Sequence, residues 1–245
     1  MIALLPLIGV LAGILTTVAG LGGGMILVLG LSVVWGPAAA LASTAPALLI
    51  GNLHRLYLFR ASVNRATAAA YACGALPGSI VGGLLTVAMP EQALSWLMVG
   101  MTVFAVTRAL KGDSPRPGAT PQWHPGAAII APAGFGIGSL AATAGGAGML
   151  AGPLLMATGL TGEAYIATGA AAAASMHVGR LIAYGAGGLI SKEIVLYGGI
   201  LAGAILVGNV IGRRMRQRFT HTVTTRIEIV ALIGCVTLAL VGIGR

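Results

Sequence analysis

Ten runs of apolar residues follow one another along the chain, separated by short polar or glycine-rich breaks. They cover about residues 2–19, 21–34, 38–56, 66–88 and 91–110, then 126–143, 148–160, 163–184, 193–212 and 223–243. Most match the roughly 20 residues that one helical membrane crossing needs. The second and seventh are short. At 1.5 Å per residue the second reaches only about 21 Å. Each short run follows a glycine-rich break, Gly20-Leu21-Gly22-Gly23-Gly24-Met25 or Ala144-Gly145-Gly146-Ala147-Gly148-Met149. An N–H or C=O left bare in hydrocarbon costs several kcal/mol, so irregular backbone at membrane depth is buried in protein or lines a polar cavity. The two breaks therefore point to a site between helices.

The pattern is one five-run unit used twice. Gly24 and Met25 match Gly148 and Met149 at a spacing of 124, Thr44 matches Thr168 at 124, and Arg55 matches Arg180 at 125. Residues 112–125 hold four of the eleven prolines and form the one long polar stretch, which reads as a linker. The expected organisation is a first membrane repeat over 1–111, the linker 112–125, and a second repeat over 126–245. Short, glycine-interrupted segments at corresponding places in two halves are a sequence signature of a transporter binding site.

Composition fixes the class. The chain of 245 residues is 57% hydrophobic and 8% charged, against about 25% charged in soluble domains. The reading is an all-α polytopic membrane protein with no room for a soluble domain. The first run lacks a basic leader segment and reads as a mature span. Gly74, Gly78 and Gly82 lie four apart in run four, as do Gly9 and Gly13 in run one. Such spacing lets helix backbones approach closely. Cys73 and Cys235 sit alone in apolar runs, so no metal site, cofactor or disulfide framework is expected, and both read as helix-packing residues.

The net charge of +9 comes from short loops and describes topology, not nucleic-acid binding. If both short runs cross, the halves are inverted. One side then holds the eleven basic residues found in 55–116 and 213–226, and the other holds Arg180, Lys192 and Arg245. If the short runs dip in and return, the halves are parallel and the split is nine to five. Basic residues gather on the cytoplasmic side, which favours inverted repeats, each with four long spans and one short helix.

Candidate site residues follow from position. Thr44, Asn52 and Arg55 share one stripe of run three, and Thr168 and Ser175 share the corresponding stripe of run eight. Hydroxyls on such helices also bond back to carbonyls one turn earlier, a purely structural use. His177 and Arg180, three apart, are neighbours. An unperturbed imidazole titrates near neutral pH, so His177 leaves coupling to protons open. Run eight ending near residue 184 lets Arg180 snorkel to the interface. His54 reads as a headgroup-level residue beside Arg55. Glu91, Glu163 and Glu193 open runs, where a carboxylate complements the helix dipole. Glu228 falls just inside run ten, where Arg226 or the membrane interface is its expected partner. No carboxylate falls mid-membrane, which argues against a cation pump and suits an anion held by backbone N–H groups and helix N-termini.

The Gly-Leu-Gly-Gly-Gly-Met run, the following Ala42-Ser43-Thr44, the basic residues and the glycine-rich helix together resemble the TauE/SafE sulfite exporter family. The resemblance covers nearly the whole chain. Two details depart from it. A proline after the glycine motif is present as Pro153 but replaced by Leu29-Gly30 in the first half, and the family's Thr-Ser pair stands reversed as Ser43-Thr44. The resemblance implies a multi-pass cell-membrane transporter of small sulfur-containing anions such as sulfite or an organosulfonate, bound where the repeats meet. The expected substrate-binding residues are Gly22, Gly23, Gly24, Ser43, Thr44, Asn52, Gly145, Gly146, Gly148, Thr168, Ser175 and His177. A passive small-anion channel is the alternative. Gly-x-Ser-x-Gly, paired intramembrane aspartates and His-Glu-x-x-His are all absent from the sequence, and no enzyme is expected.

Overall fold

A computed structural model describes residues 4–18, 23–110 and 125–216, with 230, 233, 234 and 237 as isolated helical positions. The described residues form α1 (Leu5–Val18), α2 (Gly23–Trp35), α3 (Pro37–Leu58), α4 (Arg65–Ala88), α5 (Glu91–Leu110), α6 (Ala127–Ala144), α7 (Ala147–Ala157), α8 (Gly162–Ala186) and α9 (Lys192–Arg216). A 3-10 turn, Arg60–Ser62, joins α3 to α4. Each of the first nine apolar runs became one helix, with ends matching to about a turn. Gly20–Gly22, nearly all of the linker, Cys235, Glu228 and most of run ten lie outside the described residues.

Local chemistry sets the helix ends. Pro37 opens α3, where a missing N–H costs nothing. Asn64 caps α4 by accepting from the Thr67 N–H at 3.0 Å. Glu91, Glu163 and Glu193 lie in the first turns of α5, α8 and α9, favourable against the N-terminal dipole. By length and composition α4, α6 and α9 can cross a membrane, while α1 and α2 are shorter apolar helices. Leu7, Leu11, Leu84, Phe104, Phe135 and Leu196 are exposed on the outside, a surface suited to hydrocarbon. Cys73 corrects one expectation: it is exposed on α4, so it does not pack between helices.

Helix packing follows the small residues. A Cβ on Gly74, Gly78 or Gly82 of α4 would overlap the backbone carbonyls of Ala131, Phe135 and Ser139 of α6. Likewise Gly9 and Gly13 of α1 meet Leu201, Ala204, Ile205 and Gly208 of α9. Residue numbers rise together in both pairs, so α4 runs parallel to α6 and α1 parallel to α9. The same test places α8 parallel to α4, through Gly179 on Leu76 and Gly83 on Ala183, and α3 parallel to α9, through Gly198 on Pro46 and Gly51 on Ile205.

Two groups result, each with its own core. Leu5, Ala12, Leu27, Ala47, Leu201 and Ile205 knit α1, α2, α3 and α9 together. Tyr71, Ile130, Ala141, Leu155, Tyr165 and Met176 knit α4, α6, α7 and α8. Met25, Leu41, Met98 and Tyr184 form a third cluster between the groups. At that boundary α3 and α8 meet antiparallel. Arg180 reaches the Leu41 carbonyl near the start of α3, while Asn64, beyond its end, bonds Thr168 near the start of α8.

The glycine face gives a direct test. Gly78→Ala should lower stability by about 1–3 kcal/mol through overpacking. Gly136→Ala, on α6 with open space around it, should be neutral or stabilising by up to about 1 kcal/mol from helix propensity. Thermal midpoints of the purified variants in detergent check the difference.

Candidate functional site

Buried polar side chains concentrate where α3 and α8 face one another. On α3, Asn52 and Arg55 are 4% and 6% exposed. On α8, His177 and Arg180 are 3% and 2% exposed. Arg180 therefore does not snorkel, and Arg55 is not a loop residue; both corrections follow from helices that extend past them. One arginine leaves each side of the loop-charge tally, so its bias towards one face stands.

The two arginines are built alike. Arg55 donates to Asn52 Oδ1, three residues before it, and to the Thr16 carbonyl at 2.6 Å. Arg180 contacts His177 Nδ1, three residues before it, at 3.3 Å. A guanidinium has no acceptor, so Nδ1 accepts and Nε2 is the donor nitrogen of the ring. Arg180 also donates from Nη2 to the Leu41 carbonyl at 2.9 Å and from Nε to the Tyr184 hydroxyl at 3.3 Å. Tyr184 passes its own proton to the Ala142 carbonyl at 2.6 Å. Thr16 and Ala142 both lie in the last turn of their helices, where carbonyls have no helical partner. Each arginine thus supports the helix end that precedes a glycine-rich break, Arg55 directly and Arg180 through Tyr184. Matching Arg55 with Arg180 pairs Asn52 with His177, and Ser43, not Thr44, with Thr168.

His177 lies in the electrostatic field of both Arg180 and Arg55, and Tyr165 interacts electrostatically with Arg55. The described carboxylates Glu91, Glu163 and Glu193 are exposed in the first turns of their helices. Glu163 is 17 residues before Arg180 on α8, about 25 Å along the axis. Among the described residues every hydrogen-bond partner of Arg180 is neutral, and its guanidinium also lies over the Tyr184 ring, 5.5 Å from the centroid. Burying a charge costs several kcal/mol.

The hydroxyls expected at the site have mostly spent their protons. Ser43 donates to Ala39 at 2.8 Å, Thr44 to Ala40 at 2.8 Å, and Ser175 to Ala172 at 2.7 Å. Thr168 accepts from the Asn64 N–H at 3.0 Å, tying α8 to the α3–α4 connection. The glycines divide. Gly145 and Gly146 are buried between α6 and α7 with φ of 75° and 72°, values that disfavour any side chain. A Cβ on Gly146 would face Met25 of α2 at 3.3 Å. Gly23 packs against Ala12 and Thr16 of α1, whereas among the described residues Gly24 has only Leu48 nearby, at 3.5 Å. Gly22 lies outside the described residues, and of Gly148 only its helical backbone is described.

A second polar network escaped the sequence reading. Asn209 of α9, 0% exposed, accepts from Thr17 at 2.9 Å and donates to the Gly51 carbonyl at 2.9 Å. Half-buried His54 stands 3.5 Å from the Asn209 amide. A single asparagine among glycines gives no sequence cue to this role. Among the described residues no cluster of His, Cys, Asp or Glu is suited to a metal ion.

No curated protein and no solved structure matches the chain. The family model described as "Sulfite exporter TauE/SafE" matches residues 5–240. That match takes in nearly the whole chain, so the protein belongs to the TauE/SafE family of sulfite-exporter-type membrane transporters.

Proposed function

We propose that the protein is a secondary transporter of a small sulfur-containing anion, sulfite or an organosulfonate, in the cell membrane. It consists of two inverted repeats, residues 1–111 and 126–245, joined by the linker 112–125. The anion passes through the seam between α3 and α8. The observation that carries this reading is the antiparallel meeting of α3 and α8, equivalent helices of the two halves, around buried Asn52, Arg55, His177 and Arg180. Equivalent helices pointing in opposite directions are what an inverted repeat requires, and transporters of that design place their sites between the repeats. Helix direction adds support. α1 and α3 both run parallel to α9, so α2 runs back between them and acts as a crossing.

Topology is testable in protein lacking Cys73 and Cys235. Ala61→Cys, between α3 and α4, should label from the cytoplasm, and Ser191→Cys, between α8 and α9, only from outside. Labelling of both from one face would remove the inverted layout.

Transport is tested with purified protein in vesicles. Sulfite on the far side should accelerate uptake of labelled sulfite, as a carrier requires. Flux should follow the bisulfite fraction as pH changes, with sulfate a poor competitor. Conductance without trans-acceleration would indicate a channel.

A further inference from the structure

We infer that the Arg180 guanidinium, held by His177, Tyr184 and the Leu41 carbonyl in the α3–α8 seam, is the charge that binds the transported anion, and that this anion is a singly charged sulfur oxyanion such as bisulfite or an alkylsulfonate. The inference rests on the transporter reading and names the group that makes it selective.

Three observations lead there. First, among the described residues the charge meets no carboxylate, only the face of the Tyr184 ring, 5.5 Å from the guanidinium carbon. Arg180 is 2% exposed and its partners are neutral. A neutral amide side chain has N–H donors for a carbonyl without a buried cation, and one ring face is a small return for a desolvated charge, which leaves room for an anionic ligand. Second, donors remain. Its three hydrogen bonds take one N–H from each nitrogen, and a guanidinium has five. One N–H on Nη1 and one on Nη2 are left, a pair suited to two oxygens of one oxyanion. Third, three of the competing hydroxyls are occupied. Ser43, Thr44 and Ser175 each have a single hydroxyl proton, and each gives it to a helix carbonyl.

The guanidinium is also fixed in place. Through Tyr184 it is tied to Ala142, three residues before Gly145, where α6 ends and the buried left-handed break begins. His177 holds Nη1 from the same helix. A fork anchored at all three nitrogens keeps a constant direction, which favours a ligand of set geometry over a diffuse cloud of halide ions. One charge with a free pair of N–H groups matches one negative charge, while Arg55, the other buried cation of the seam, donates to Asn52 and to the Thr16 carbonyl.

The test uses the full-length protein in vesicles and in detergent. Wild type should show saturable sulfite counterflow. Methanesulfonate should compete, whereas dimethyl sulfone, of nearly the same shape but neutral, should not. Arg180→Gln should weaken apparent sulfite affinity by at least about 10-fold, the usual scale for losing a hydrogen bond to a charged group. Arg180→Lys, which keeps charge but loses the fork, should fall between the two. Thermal midpoint and monodispersity show whether each variant is folded. A folded Arg180→Gln with wild-type affinity would overturn the assignment. If that variant does not fold, equal competition by dimethyl sulfone and methanesulfonate in wild type overturns it instead. A wild type that moves no small sulfur anion fails the transporter reading, an outcome distinct from both.

Discussion

Inside hydrocarbon, each polar group that leaves the helical ladder must find its partner within the protein. That constraint governs this molecule. α1 and α6 stop within the helical body, and both glycine-rich breaks follow those ends. Their last-turn carbonyls are met by Arg55 on Thr16 and by Tyr184 and Thr86 on Ala142. No buried side-chain nitrogen or oxygen among the described residues lacks a partner. The short helices α2 and α7 begin where they do because neighbouring helices supply the donors that water would supply elsewhere.

Hydrogen bonding settles Arg180 but leaves its charge. Three bonds to neutral acceptors hold the side chain, each worth about 1.5–3 kcal/mol where a charged group is involved. Against them stands the desolvation of the charge, which costs several kcal/mol. The difference in cost separates Arg180 from the threonines and serines nearby. A hydroxyl that bonds back to its own helix is cheap to bury and is common for that reason.

The helices were legible because burial in lipid demands long apolar runs, and each of the first nine runs became one helix. The glycines of α4 announced a close-packed face but not its occupant, since spacing describes one surface and the facing residue of α6 is 57 positions further on, as from Gly78 to Phe135. The arginines were misplaced because a charge near the end of an apolar run looks like a loop marker. What distinguishes Arg55 and Arg180 is the partner three residues earlier, Asn52 or His177, together with their spacing of 125. Hydroxyl direction was not legible at all, because Thr44 facing a ligand and Thr44 bonding Ala40 have the same sequence.

The glycine-locked pairs bear on how the seam can open. α4 is fastened to α6, and α9 to α1, by backbone contact. Among the described residues the chain therefore passes directly from one group to the other at two connections, 59–64 after α3 and 187–191 after α8. Because α3 and α8 are antiparallel, those connections sit at opposite ends of the seam. The covalent path of the chain itself thus ties the two groups together at both ends of the seam.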